Sequence, residues 1–275
     1  MYPKSKKTKK MGRQVGLIKV SGNIGGVSFY KSDGKDLARV ANGPSKDKIQ
    51  NDDNFIRTRE NNSEFGGSAT AGKSLRLSLA TCVATMGDKR ITSRLTALFK
   101  DICSRGTGTR GQRPITVSTN RTLLENLEFN DKLAFASVFN APFTYSNTAA
   151  RTSGTITVPA FAPQTFIHAP AGATHFRLIG AIGVLSDFNY NVSTQKYEPS
   201  DPTLDKLGAV TYGAVTALNS ATPVNFSLVV ALSGTPTMTA TVSVAQCLGI
   251  EFYQRIGTVD YLLAQGNCMK IVKMF

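Results

Sequence analysis

Thr237 to Gln254 reads TMTATVSVAQCLGIEFYQ, a run dense in β-branched and aromatic side chains and free of proline. Such residues fit a pleated, half-buried surface, so the run predicts a strand. Working outward, strands are predicted at Leu133–Phe139, Gly154–Val158, His175–Leu185, Phe188–Val192, Ala209–Val215, Asn225–Ala231, Tyr261–Ala264 and Met269–Val272. Gly, Pro, Asn and Ser punctuate them at roughly even spacing, which points to an antiparallel β-sandwich or jelly-roll-like body over 122–275. No alternation of strands with helical stretches occurs, which argues against a parallel doubly wound sheet.

Ahead of this body the pattern changes. Leu75, Leu77, Leu79 and Val83, then Ile91, Leu95, Leu98, Phe99 and Ile102, predict a helical hairpin near 74–103 that breaks at Asp88. Gln14 to Arg39 reads as a β-hairpin region, with Val15–Val20 as one strand and Asp33-Gly34 as a tight turn. Ala41 to Phe65 is polar and reads as an extended or partly helical linker. The expected class is mainly β with a small helical segment (α+β). The expected divisions are a basic flexible arm at 1–13, a basic hairpin, helical region and Gly/Arg linker at 14–121, and the β-rich body at 122–275.

The net charge of +14 is unevenly placed. Residues 1–121 hold 24 Lys+Arg against 9 Asp+Glu, whereas residues 122–275 hold 8 against 9. Lys4, Lys6, Lys7, Lys9, Lys10 and Arg13 crowd the start. Clustered cations release counterions from a phosphate backbone whatever its sequence, so the arm is a candidate for binding DNA or RNA. A solubilising tail and a membrane-surface arm are the alternatives, the latter disfavoured by the lack of an apolar anchor. A second cluster holds Arg105, Arg110, Arg113 and Arg121 among glycines. It reads equally as a phosphate grip or as a flexible Gly/Arg linker.

Gly67-Ser-Ala-Thr-Ala-Gly72-Lys73-Ser74 satisfies the phosphate-loop pattern, with Lys73 and Ser74 in the nucleotide-binding positions. The context is wrong, because a polar run (Arg57 to Glu64) precedes it where a buried strand should be. The only candidate aspartate for its metal, Asp187 after the apolar Ile182–Ser186, lies far along the chain in an all-β pattern, which also argues against a nucleotide site. His168 and His175 have no ligand or catalytic partner at useful spacing, and no G-x-S-x-G elbow or carboxylate pair stands out. Cys82, Cys103, Cys247 and Cys268 fall singly, which gives neither a zinc site nor a disulfide framework. No enzyme, cofactor or metal is expected. No signal peptide or long apolar stretch is legible, which predicts a soluble chain.

GRQVGLIKVSGNIGGVSFY at Gly12–Tyr30, Arg57-Thr-Arg-Glu-Asn-Asn-Ser-Glu-Phe-Gly66, Arg110-Gly-Gln-Arg113 and Gly249-Ile-Glu-Phe-Tyr-Gln254 together resemble a family of uncharacterised bacterial proteins that carries these blocks in this order. The resemblance implies no catalytic residues. A lysine-rich arm before a jelly-roll-like body also resembles, in layout, the coat proteins of small viruses and phages. It implies a self-assembling capsid protein whose arm binds packaged nucleic acid in a virion assembled in the bacterial cytoplasm. The alternatives are a cytoplasmic, non-sequence-specific nucleic-acid-binding protein, a phosphate-loop NTPase and a secreted adhesin.

Overall fold

A computed structural model describes residues 11–40 and 43–275. The chain divides into two compact units, Met1–Arg59 and Glu60–Phe275.

The first unit holds a four-stranded antiparallel sheet of β1 (Met11–Arg13), β2 (Gly22–Ile24), β3 (Val27–Ser32) and β4 (Lys35–Val40), in the order β1-β4-β3-β2. Two-residue turns join β2 to β3 and β3 to β4. Asp33 (φ 49°) and Gly34 (φ 74°) both lie in the left-handed region, the type I′ geometry that matches strand twist. The expected strand at Val15–Val20 is absent. Those residues form a loop that leaves Val15, Leu17 and Ile18 almost wholly in solvent. Of the two forms expected for the linker, the helical one is found and covers most of it, beginning with α1 (Lys46–Asn51), whose first turn is capped by the Ser45 hydroxyl.

The second helix, α2 (Ile56–Ser78), is much longer than the apolar pattern suggests. Its buried positions are Glu64, Gly67, Ser68, Ala71, Gly72, Ser74, Leu75 and Ser78, which recur at helical spacing but are mostly small or polar. Then come α3 (Ala80–Met86) and α4 (Ile91–Arg105), whose Ile91, Leu95, Phe99 and Ile102 form the expected buried stripe.

The strands of the second unit follow as β5 (Thr144–Asn147), β6 (Ser153–Phe161), β7 (His175–Ser186), β8 (Phe188–Asn191), β9 (Lys196–Pro199), β10 (Gly208–Tyr212), β11 (Thr216–Ala217), β12 (Val224–Ala231), β13 (Val242–Ile256), β14 (Val259–Leu262) and β15 (Cys268–Met274). The fold is mainly β and every pairing is antiparallel. Residues Phe135–Val138, expected in a strand, make one helical turn. Phe135, Val138 and Phe139 are buried at i, i+3 and i+4, a helical period that overrides their β propensity.

Strands β7 and β13 run side by side at the centre of the larger sheet, in the order β10-β7-β13-β14, with β15 also on β13. Both are covered on both faces, which explains why they read as long apolar runs. Phe176 and Leu178 on β7, with Leu248, Ile250 and Phe252 on β13, pack against Ile156 and Val158 of β6 and Phe226 and Leu228 of β12. That second sheet has the order β12-β6-β5. On the opposite face Ile179, Ala181 and Leu185, with Ala245 and Cys247, meet Leu75, Leu79, Leu95 and Phe99 of the helical layer. The layers are thus helices, six-stranded sheet and three-stranded sheet. The helical layer and the six-stranded sheet share the core that lies between them.

Candidate functional site

Lys4, Lys6, Lys7, Lys9 and Lys10 lie outside the described residues. Arg13 is exposed at the end of β1, opposite Leu37. The later arginines are far from equivalent. Arg105 pairs with Asp101 across one turn of α4 at 2.8 Å, and Arg110 faces Glu60 at 3.6 Å.

Arg113 is held most firmly. Its Nε and Nη2 donate to the two carboxylate oxygens of Glu64, each at 2.7 Å. The same carboxylate accepts from Lys100 Nζ at 2.5 Å and from the Gly111 N–H at 2.9 Å. Glu64 is only 1% exposed. The Arg113 guanidinium, with Lys100 and Gly111, outweighs burial and holds this carboxyl down at about 2. The Gly/Arg segment is consequently a folded loop tied to α2, and the Arg113 charge is paired inside the protein. Gly111 (φ 88°) is required there, since a Cβ would lie 2.9 Å from the Cα of Glu60. Tyr197 closes the cluster by donating its hydroxyl to the Arg113 carbonyl at 3.0 Å.

Gly67 to Ser74 is helix interior, so its N–H groups are spent on helical hydrogen bonds and form no phosphate cradle. Its glycines serve packing. A Cβ on Gly67 would lie 2.4 Å from the Tyr197 ring, and one on Gly72 would lie 3.3 Å from Leu95. Lys73 is exposed, whereas the buried Ser74 hydroxyl donates to Asp205 at 2.5 Å. Asp187 accepts from the N–H and hydroxyl of Ser118 at 2.8 and 2.5 Å. Lys73, Ser74 and Asp187 therefore do not form the site that the letters suggest.

No family model, curated protein or solved structure matches this chain.

Among the described residues, no three of His, Cys, Asp and Glu are grouped so as to hold a metal ion, and no helix is long and apolar enough to cross a membrane. The His175 ring contacts the Thr174 hydroxyl at 2.9 Å, and burial, then Arg255, lower its pKa. All four cysteines are free and buried.

Arg121 differs from its neighbours in the sequence. Its Nε donates to the Ser243 hydroxyl at 3.0 Å, and it forms no ion pair among the described residues. Arg151, which sequence reasoning passed over as a lone cation in a Thr/Ala/Ser loop, lies at the same end of β13. It donates to the carbonyls of Val242 and Thr239 at 2.5 and 2.7 Å.

Proposed function

We propose that this protein is a self-assembling structural protein, a phage or virus coat subunit whose N-terminal lysines and Arg13 neutralise packaged nucleic acid. The reading rests on one observation above the others. No side chain described between 12 and 59 is buried, yet Val15, Leu17, Ile18, Ile24 and Val40 stand exposed on and beside a four-stranded sheet. Small sheets gain stability by packing a hydrophobic face, and clustered exposed apolar side chains mark interaction surfaces. In a shell, neighbouring copies supply that packing.

Two further features support the reading. The β-rich body carries almost no net charge, as suits surfaces that meet other copies, because interface centres are depleted in charge. Its β13–β14 hairpin also exposes Ile256, Val259, Tyr261 and Leu262. The lysine run directly precedes the first sheet, so the polyanion contact and the assembly contact fall in one stretch of chain. Such a protein would assemble in the bacterial cytoplasm and reside in the virion.

The test is mass photometry and negative-stain microscopy of the purified chain with and without nucleic acid. Closed particles or large discrete oligomers are expected. Monomers alone at every salt concentration overturn the proposal, and a monomer that binds DNA or RNA with steep salt dependence makes it a cytoplasmic nucleic-acid-binding protein instead.

A further inference from the structure

Six arginines of the second unit face a carboxylate: Arg94, Arg105, Arg110, Arg113, Arg177 and Arg255. Arg76, Arg90, Arg121 and Arg151 form no ion pair among the described residues, and of these Arg121 and Arg151 stand together. The start of β13 holds both, Arg151 through the Val242 carbonyl and Arg121 through the adjoining Ser243 hydroxyl. Both side chains belong to half-buried residues. Burial, then the Arg121 charge, lowers the pKa of Arg151, as expected where one cation feels another.

The carboxylates tied to the same region are already engaged. Asp187 is taken by Ser118, and Asp201 accepts from Thr203, Leu204 and Thr239. Beside Arg151 a cavity of about 280 Å³ is lined by Thr152, Thr235, Thr237 and Met238. Two adjacent, partly desolvated guanidiniums without an acid repel each other, and an oxyanion removes that cost.

We propose that Arg121 and Arg151 form a binding site for a phosphate group, supplied in function by the phosphodiester backbone of nucleic acid. The proposal rests on the nucleic-acid part of the function above and moves the folded contribution away from Arg105, Arg110 and Arg113. Each guanidinium has five N–H donors, of which hydrogen bonds within the protein use one on Arg121 and two on Arg151. The free donors present the planar fork that suits phosphate oxygens.

The experiment measures binding of a short single-stranded oligonucleotide to the full chain by fluorescence anisotropy across a salt series, beside calorimetry with inorganic phosphate. Arg121→Gln and Arg151→Lys are compared with a variant whose Lys4, Lys6, Lys7, Lys9 and Lys10 are changed to Gln. Arg121→Gln is expected to weaken oligonucleotide binding and to lower the salt slope by about 1, while Arg113→Lys leaves the slope unchanged. If Arg151→Lys folds poorly, Arg121→Gln carries the test alone, because it gives up only one bond to a hydroxyl. Oligonucleotide binding that Arg121→Gln leaves unaltered, with the lysine variant impaired, overturns the site but not the proposed function. No oligonucleotide binding by the parent chain overturns both, unless inorganic phosphate binds and Arg121→Gln abolishes it, which keeps the site and assigns it to free phosphate.

Discussion

Arg113 grips Glu64 through two parallel hydrogen bonds of 2.7 Å, although the two residues lie 49 positions apart. The pair fastens the Gly/Arg loop to the middle of α2 and sets an acid dependence. The folded pKa of Glu64, about 2, lies below its ordinary 4.5, so the stabilisation is complete above pH 4.5 and is lost as pH falls towards 2. Breaking a buried pair by removing one partner costs about 3 kcal/mol or more. Glu64→Gln should therefore lower stability at pH 7 by about that amount and flatten the pH dependence over this window. Urea unfolding at pH 7, 4.5 and 3 measures both.

The glycines of α2 are predicted to respond in opposite senses. Gly67→Ala drives a methyl into the Tyr197 ring and should destabilise by about 2 kcal/mol. Gly66→Ala meets open space and should stabilise by about 0.5–1 kcal/mol through helix propensity. Thermal melts of the two variants decide whether the Gly67–Ser74 letters encode helix packing.

Lys73 and Ser74 should separate in the same way. Lys73→Ala alters an exposed side chain and is expected to leave stability within about 0.5 kcal/mol of the parent. Ser74→Ala strips Asp205 of a buried donor and should cost about 1–3 kcal/mol. A nucleotide-dependent rise in melting temperature that Lys73→Ala abolishes would contradict the helix-interior assignment.

The thiols should be inert while the chain is folded. Burial pushes Cys82 and Cys268 up to about 12, and raises Cys247 and Cys103 as well. A thiol reagent at pH 8 is expected to label none of them until denaturant is added, and rapid labelling of the native protein would show that the core opens readily.

Much of the β architecture is legible in the sequence because strand signals are local. The long runs at His175–Leu185 and Thr237–Gln254 contain most of β7 and of β13, and Asp33-Gly34 makes its turn through the φ tolerance of those two residues alone. The part of helix α2 before Ser74 is not legible in the sequence, for a physical reason. Its buried face is made of Glu64, Gly67, Ser68, Ala71 and Gly72, which carry no apolar periodicity. These small residues let the helix lie close to its neighbours, so that a Cβ on Gly183 would meet the Ser78 hydroxyl at 2.5 Å. Such a face is visible only once its partners are in place. Val15–Val20 misled in the other direction, since its β-branched residues have no strand to pair with.

The sequence by itself determined the antiparallel β character of the body, the tight turn at Asp33-Gly34 and the crowding of positive charge into residues 1–121. Each depends on the conformational preference or formal charge of residues close together in the chain. Which of those charges are free to meet a polyanion was decided by tertiary structure alone. Arg113 is paired with Glu64 and Arg105 with Asp101, while Arg121 finds no acid among the described residues and stands beside Arg151. Electrostatic interaction falls with distance in space and strengthens with burial, and neither quantity is written in the order of residues.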